Sequence, residues 1–97
     1  MELNSKQRAY LKSLASNISP IFQIGKGTLT PEITEAVIES FNTHELIKIS
    51  VLNNCLQNPK EIAQLLADRS GSIVVQVIGK KIVLYKEDKN NKKIFLP

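Results

Sequence analysis

The stretch from Gln23 to Ile33, QIGKGTLTPEI, joins the end of an apolar run to the start of a helix through two closely spaced glycines. Upstream, IFQI (Ile21 to Ile24) is short, apolar and closed by Gly25, as a strand would be. Downstream, Thr30-Pro31-Glu32 supplies an N-cap residue, a proline at the first helical position and an acid in the first turn. Strand, glycine loop and helix in that order are the first half of a β-α-β unit. They set the fold class to α/β.

Working outward, the helix opened by Thr30 is predicted to run to about Asn42. It buries Ile33, Ala36, Val37 and Phe41 and leaves Glu32, Glu35 and Glu39 on another face. ELIKISV then alternates, with Ile47, Ile49 and Val51 on one side and Leu46, Lys48 and Ser50 on the other. Asn58-Pro59-Lys60-Glu61 has the form of a capping box, ahead of a helix to about Asp68 that buries Ile62, Leu65 and Leu66. SIVVQVI and KIVLYK, separated by Gly79-Lys80, read as a hairpin. At the N-terminal side, Ser5 to Ala15 carries Leu3, Tyr10, Leu11 and Leu14 at helical spacing, capped by Asn4 or Ser5 and stopped before Pro20.

The predicted order is α-β-α-β-α-β-β. Two crossovers predict parallel neighbouring strands, and the hairpin adds an antiparallel one. The expectation is one small α/β domain over residues 1–97 with a four-stranded mixed sheet. Residues 86–97 form a loosely ordered tail, in which Ile94 to Leu96 could be pinned to the body.

With 97 residues there is room for one core. Thirteen Lys and Arg against nine Asp and Glu give a net charge of +4, which permits an anionic partner without requiring one. Cys55 is the single cysteine, so no intrachain disulfide forms and a reducing, cytoplasmic setting is expected. No run has the apolar length of a signal or membrane segment, so no membrane partner is expected. Asn17-Ile18-Ser19 fits a glycosylation pattern only formally.

Catalysis finds no foothold. His44 and Cys55 stand alone of their kinds, without the orienting third group a Cys–His dyad needs, and no metal-ligand spacing occurs. Neither a cofactor nor a small-molecule substrate is expected. The glycine loop fails as a Walker A motif, because Pro20 stands where its first glycine belongs and Gly27 follows Gly25-Lys26. It also fails as a dinucleotide fingerprint, since Thr30 occupies the last glycine position. What remains is Gly25-Lys26-Gly27-Thr28 ahead of a helix start, comparable to the G-x-x-G loop with which KH modules clamp a sugar–phosphate backbone. A plain connecting turn is the competing reading. The other basic residues, Lys6, Arg8 and Lys12, Lys80 and Lys81, and Lys92 and Lys93, are scattered, and form a patch only if the fold gathers them. Few aromatics are present, so phosphate and shape contacts are favoured over base stacking.

LNSKQRAYLKSLA, PIFQIGKGTLT, HELIKISV, VQVIGKKIVLYK and the closing IFLP, in this order and almost end to end, resemble the CRM-domain proteins of the bacterial YhbY family (chloroplast RNA splicing and ribosome maturation domain). The resemblance implies a fold similar to the C-terminal domain of translation initiation factor three. It also implies RNA binding without enzymatic activity, with ribosomal RNA of large-subunit precursor particles as the expected partner. The family's Gly–Lys–x–Gly loop falls on Gly25, Lys26, Gly27 and Thr28, where Thr28 departs from the usual glycine. Its basic first-helix motif falls on Lys6, Gln7 and Arg8, with Lys12 one turn later, and Lys86 stands where Arg is frequent. Expected RNA contacts are therefore Gly25, Lys26, Gly27, Thr28, Lys6, Arg8 and Lys12, with Lys80 and Lys81. The alternative is an adaptor docking on ribosomal proteins through the acidic face of Glu32, Glu35 and Glu39.

Overall fold

Each helix begins at the cap its sequence offers. The computed structural model describes residues 2–97 and orders them as α1 (Ser5–Ala15), β1 (Phe22–Ile24), α2 (Pro31–Ser40), β2 (Leu46–Val51), α3 (Pro59–Ser70), β3 (Ile73–Ile78) and β4 (Lys81–Tyr85). Asn4 and Gln7 form a reciprocal capping box on α1. Thr30 Oγ1 accepts the Ile33 N–H of α2 at 3.3 Å, and Asn58 Oδ1 accepts the Lys60 N–H of α3 at 2.8 Å. Gly71, at φ 71, ends α3 in the left-handed conformation that glycine adopts without strain.

The result is a single small α/β domain with one four-stranded mixed sheet, ordered β1-β2-β4-β3. β1 and β2 pair in parallel, while β4 runs antiparallel to both β2 and β3. One expectation is corrected: β2 and β3 are not neighbours, because the hairpin folds β4 back between them. The physical reason lies in β4 itself. Ile82, Val83, Leu84 and Tyr85 are all buried, so this strand needs cover on both faces and both edges, whereas β3 is only partly buried.

The two faces are covered differently. α2 and α3 pack Val37, Phe41, Ile62 and Leu66 against Ile24, Ile47, Ile49, Ile82 and Leu84. On the opposite face, α1 packs Leu11 and Ala15 against Leu46, Val75, Val83 and Tyr85, with Ile94 and Leu96 from the C-terminal segment. Tyr10, expected among the apolar residues of α1, lies instead on its outer side, 39% exposed.

Residues 86–97 contain no helix or strand, yet they are tied to the body by one buried side chain. Glu45, 2% exposed, accepts backbone N–H groups of Asp88 at 2.8 Å, Lys93 at 2.6 Å and Ile94 at 2.7 Å. Burial alone would raise its pKa. The three N–H bonds outweigh that, together with the repulsion from Asp88, and hold the carboxyl below its ordinary value.

Candidate nucleic-acid interface

The sheet topology decides which loops meet. β1 and β2 run parallel and β4 antiparallel to β2, so the loop after β1, the loop after β2 and the β3–β4 turn emerge at the same end. Two backbone bonds knit them together: the Leu52 N–H donates to Ile24 O at 2.8 Å, and the Val51 N–H to Lys80 O at 2.7 Å. The strand end before Gly25 and the turn at Lys80 thus bind successive N–H groups at β2's exit. Lys26, Lys80 and Lys81 share one rim.

Within the first loop, the Thr28 N–H closes a turn onto Gly25 O at 2.9 Å. The Lys26 and Gly27 N–H groups find no partner among the described residues, and both residues are exposed. Thr28 takes φ 56, a left-handed conformation rare for a β-branched residue. Gly25 sits against the loop after β2: a Cβ there would stand 3.2 Å from Asn54 Oδ1 and 3.4 Å from Leu52 Cδ1. Two free N–H groups and one mobile ammonium are the donor set for an anionic oxygen.

Beyond the rim, on the face that carries α1, the sheet outruns its helix. Lys12, Lys48 and Lys81, with Gln76, Ile78 and Ser16, line a recess of about 260 Å³ there. Lys81 Nζ also donates to Ser50 Oγ at 2.9 Å, across the β2–β4 pair. Among the described residues the one ion pair is Lys92 with Glu87 at 3.7 Å, so the cations of the rim and recess carry unneutralised charge.

Seven of the nine expected residues thus fall into this zone: the loop residues Gly25, Lys26, Gly27 and Thr28, then Lys80 and Lys81 at the turn, and Lys12 in the recess. Lys6 is exposed on the first turn of α1 and does not line the recess. Arg8 is engaged elsewhere, since its Nη1 donates to Val74 O and Val75 O, both at 2.7 Å. Lys48 is not among the expected contacts, although the alternation of ELIKISV sets it on the face opposite Ile47 and Ile49. A strand lysine facing a helix-covered side reads as a snorkelling residue until the helix is seen to stop short. Glu32, Glu35 and Glu39 are exposed along α2.

Among the described residues no cluster of His, Cys, Asp and Glu could hold a metal ion, and no helix is long and apolar enough to cross a membrane.

Fold and site together define a small α/β module with a cationic, glycine-bearing sheet end. The chain belongs to the CRS1 / YhbY (CRM) domain family, whose model matches residues 3–86. It is 45% identical over 95 residues to a Bacillus subtilis protein named "Probable RNA-binding protein YqeI", covering 98% of this chain and 99% of that one. A Haemophilus influenzae relative named "RNA-binding protein" is 32% identical over 90 residues, covering 93% and 91% of the two chains. The solution structure of a hypothetical protein from Staphylococcus aureus superposes with a TM-score of 0.82 at 47% identity, covering 99% of this chain and 100% of that one.

Proposed function

We propose that this protein binds RNA and that the Gly25–Thr28 loop grips the sugar–phosphate backbone. The observation that carries the reading is the pair of unpartnered N–H groups at Lys26 and Gly27, set beside the Lys26 ammonium on a rim shared with Lys80 and Lys81. Phosphate oxygens are the ligands such a donor set stabilises. Lys12, Lys48 and Lys81 extend the track onto the α1 face. The names borne by the relatives support RNA over other polyanions. Within the RNAs of a cell, the family resemblance favours ribosomal RNA in large-subunit precursors, bound in the cytoplasm. The protein acts there by binding, with no catalytic step.

A salt titration of RNA affinity tests the loop. Lys26→Ala is expected to weaken binding by about fivefold to tenfold, whatever the sequence of the RNA, and to lower the log–log salt slope by about one. Unchanged affinity in this variant would sink the loop assignment. Crosslinking in extract then decides the target: ribosomal RNA is the expected product, and crosslinks confined to ribosomal proteins and lost on reversal of Glu35 and Glu39 would establish the adaptor instead.

A further inference from the structure

On the face covered by α2 and α3, directly beside the loop, Thr28, Leu29, Leu56, Gln57, Leu65 and Arg69 line an open groove of about 440 Å³. Its lining mixes the apolar Leu29, Leu56 and Leu65 with the polar Thr28, Gln57 and Arg69, and no acidic residue lines it. Leu56 is 92% exposed, although its neighbour Cys55 is buried in the core cluster. The loop is therefore anchored, and Leu56 is held out over the groove with none of the described residues covering it. The carboxylate next to Arg69 in sequence, Asp68, is engaged by Gln64 Nε2 at 2.9 Å.

Resting on the reading of the loop as a phosphate grip, we infer that this groove receives the nucleobases of a single-stranded RNA segment. Thr28 belongs to both loop and groove, so a phosphate held by the loop delivers its own nucleotide to the groove's mouth. The lining fits a strand: Leu29, Leu56 and Leu65 offer apolar contact to base faces, and the Arg69 guanidinium, with no acidic residue in the lining, suits a phosphate or a base plane. A duplex keeps its bases stacked inside and cannot lower them into a cleft, whereas an unpaired strand can. The volume lies within the range of about 300–1,000 Å³ typical of sites that enclose small organic groups. With no aromatic residue in the lining, the contacts are apolar packing rather than stacking, and base preference is weak.

The experiment titrates the full chain, at one salt concentration, with three probes of equal length: an oligouridylate, a ribose–phosphate strand lacking bases, and an RNA duplex. The wild type should prefer the oligouridylate to the baseless strand by about fivefold, the scale of one apolar side-chain contact. Leu56→Ser, whose exposed side chain adds nothing to the core, should abolish that preference by lowering oligouridylate affinity alone. Lys26→Ala should weaken all three probes in proportion. Equal wild-type affinity for the oligouridylate and the baseless strand overturns the inference. So does a Leu56→Ser effect that is nil or common to all probes, including one that instead removes a protein crosslink in extract. If Lys26→Ala behaves as stated and Leu56→Ser does nothing, the groove assignment alone falls. If no probe binds the wild type, the loop reading falls and takes the groove with it.

Discussion

Thr28 holds the one left-handed backbone conformation at a non-glycine residue among the described residues, with φ 56. A side chain with a branched β-carbon pays about 1–2 kcal/mol for that conformation relative to glycine. The turn enforces it, because the chain must leave the Gly25–Thr28 hydrogen bond and reach the Thr30 cap within two residues. Thr28→Gly is expected to remove that strain while adding about 0.4–1 kcal/mol of unfolded-chain entropy. The net is a stability gain of up to about 1.6 kcal/mol in urea denaturation, the difference of those two contributions. A clear loss would mean that the Thr28 side chain contributes a contact that outweighs its strain. Gly27 makes a useful control. It has no positive φ, and a Cβ added there meets only Thr30 Cγ2, at 3.8 Å. Gly27→Ala should therefore fold, with a gain of about 0.4–1 kcal/mol from the smaller unfolded-chain entropy, so that any loss of RNA affinity reports the approach of the ligand. The spacing of the glycines located this loop from sequence alone. It could not show which position demands glycine, because that depends on how Asn54 and Leu52 close over Gly25 from a loop that follows another strand.

At the scale of elements, β3 departs from simple alternation. Its register against β4 shifts between Val74 and Gln76, so Val74 pairs with Leu84 and Gln76 with Val83, leaving Val75 as the extra residue. A strict period of two would set Val75 and Val77 on one face. With the bulge, Val74 and Val77 pack towards α2 and α3, while Val75 packs towards α1. The same irregularity frees the Val74 and Val75 carbonyls that Arg8 binds from α1. Arg8 thus fastens the helix to a bulged edge strand, a role that no helical wheel could reveal. Arg8→Met keeps most of the apolar stem and removes both charge-assisted bonds, so a loss of about 1.5–3 kcal/mol is expected in chemical denaturation. The RNA salt slope should change less than in Lys12→Met. The opposite pattern, a stable Arg8→Met protein with a reduced slope, would return Arg8 to the phosphate track. The helices were legible because caps and apolar spacing are local. Strand order was not, since a β-α-β reading joins β2 to β3 until the burial of β4 on both faces is weighed.

Across the whole molecule, α1 and the C-terminal segment cover one face of the sheet together, and Glu45 fastens the C-terminal segment. Tyr85, fully buried on that face, has a hydroxyl without a hydrogen-bond partner, and burial with the nearby Glu45 and Glu87 charges pushes its pKa up to about 12. A neutral Tyr85 and an ionised Glu45 are therefore the pair that the folded state prefers. Glu45 has a folded pKa below its ordinary value of 4.5. Its contribution is fully present above that value, where the carboxylate is ionised in both folded and unfolded chains. It is lost as pH falls through the depressed folded pKa, because the unfolded chain takes up the proton first. Urea midpoints of the wild type should accordingly decline as the pH drops below about 4.5, and the Asp88, Lys93 and Ile94 amide resonances should lose their downfield shifts over the same window. Glu45→Gln keeps the shape and one acceptor but loses the charge, so it should cost about 1.5–3 kcal/mol at neutral pH. Its acid decline should also be shallower than that of the wild type. If the two proteins lose stability in parallel on acidification, some other carboxylate carries the effect and Glu45 is a packing residue only. RNA affinity at neutral pH offers a separate check, since the fastening lies at the start of β2 and the cationic rim at its end. Glu45→Gln should leave that affinity unchanged while loosening the segment that completes the opposite end of the domain.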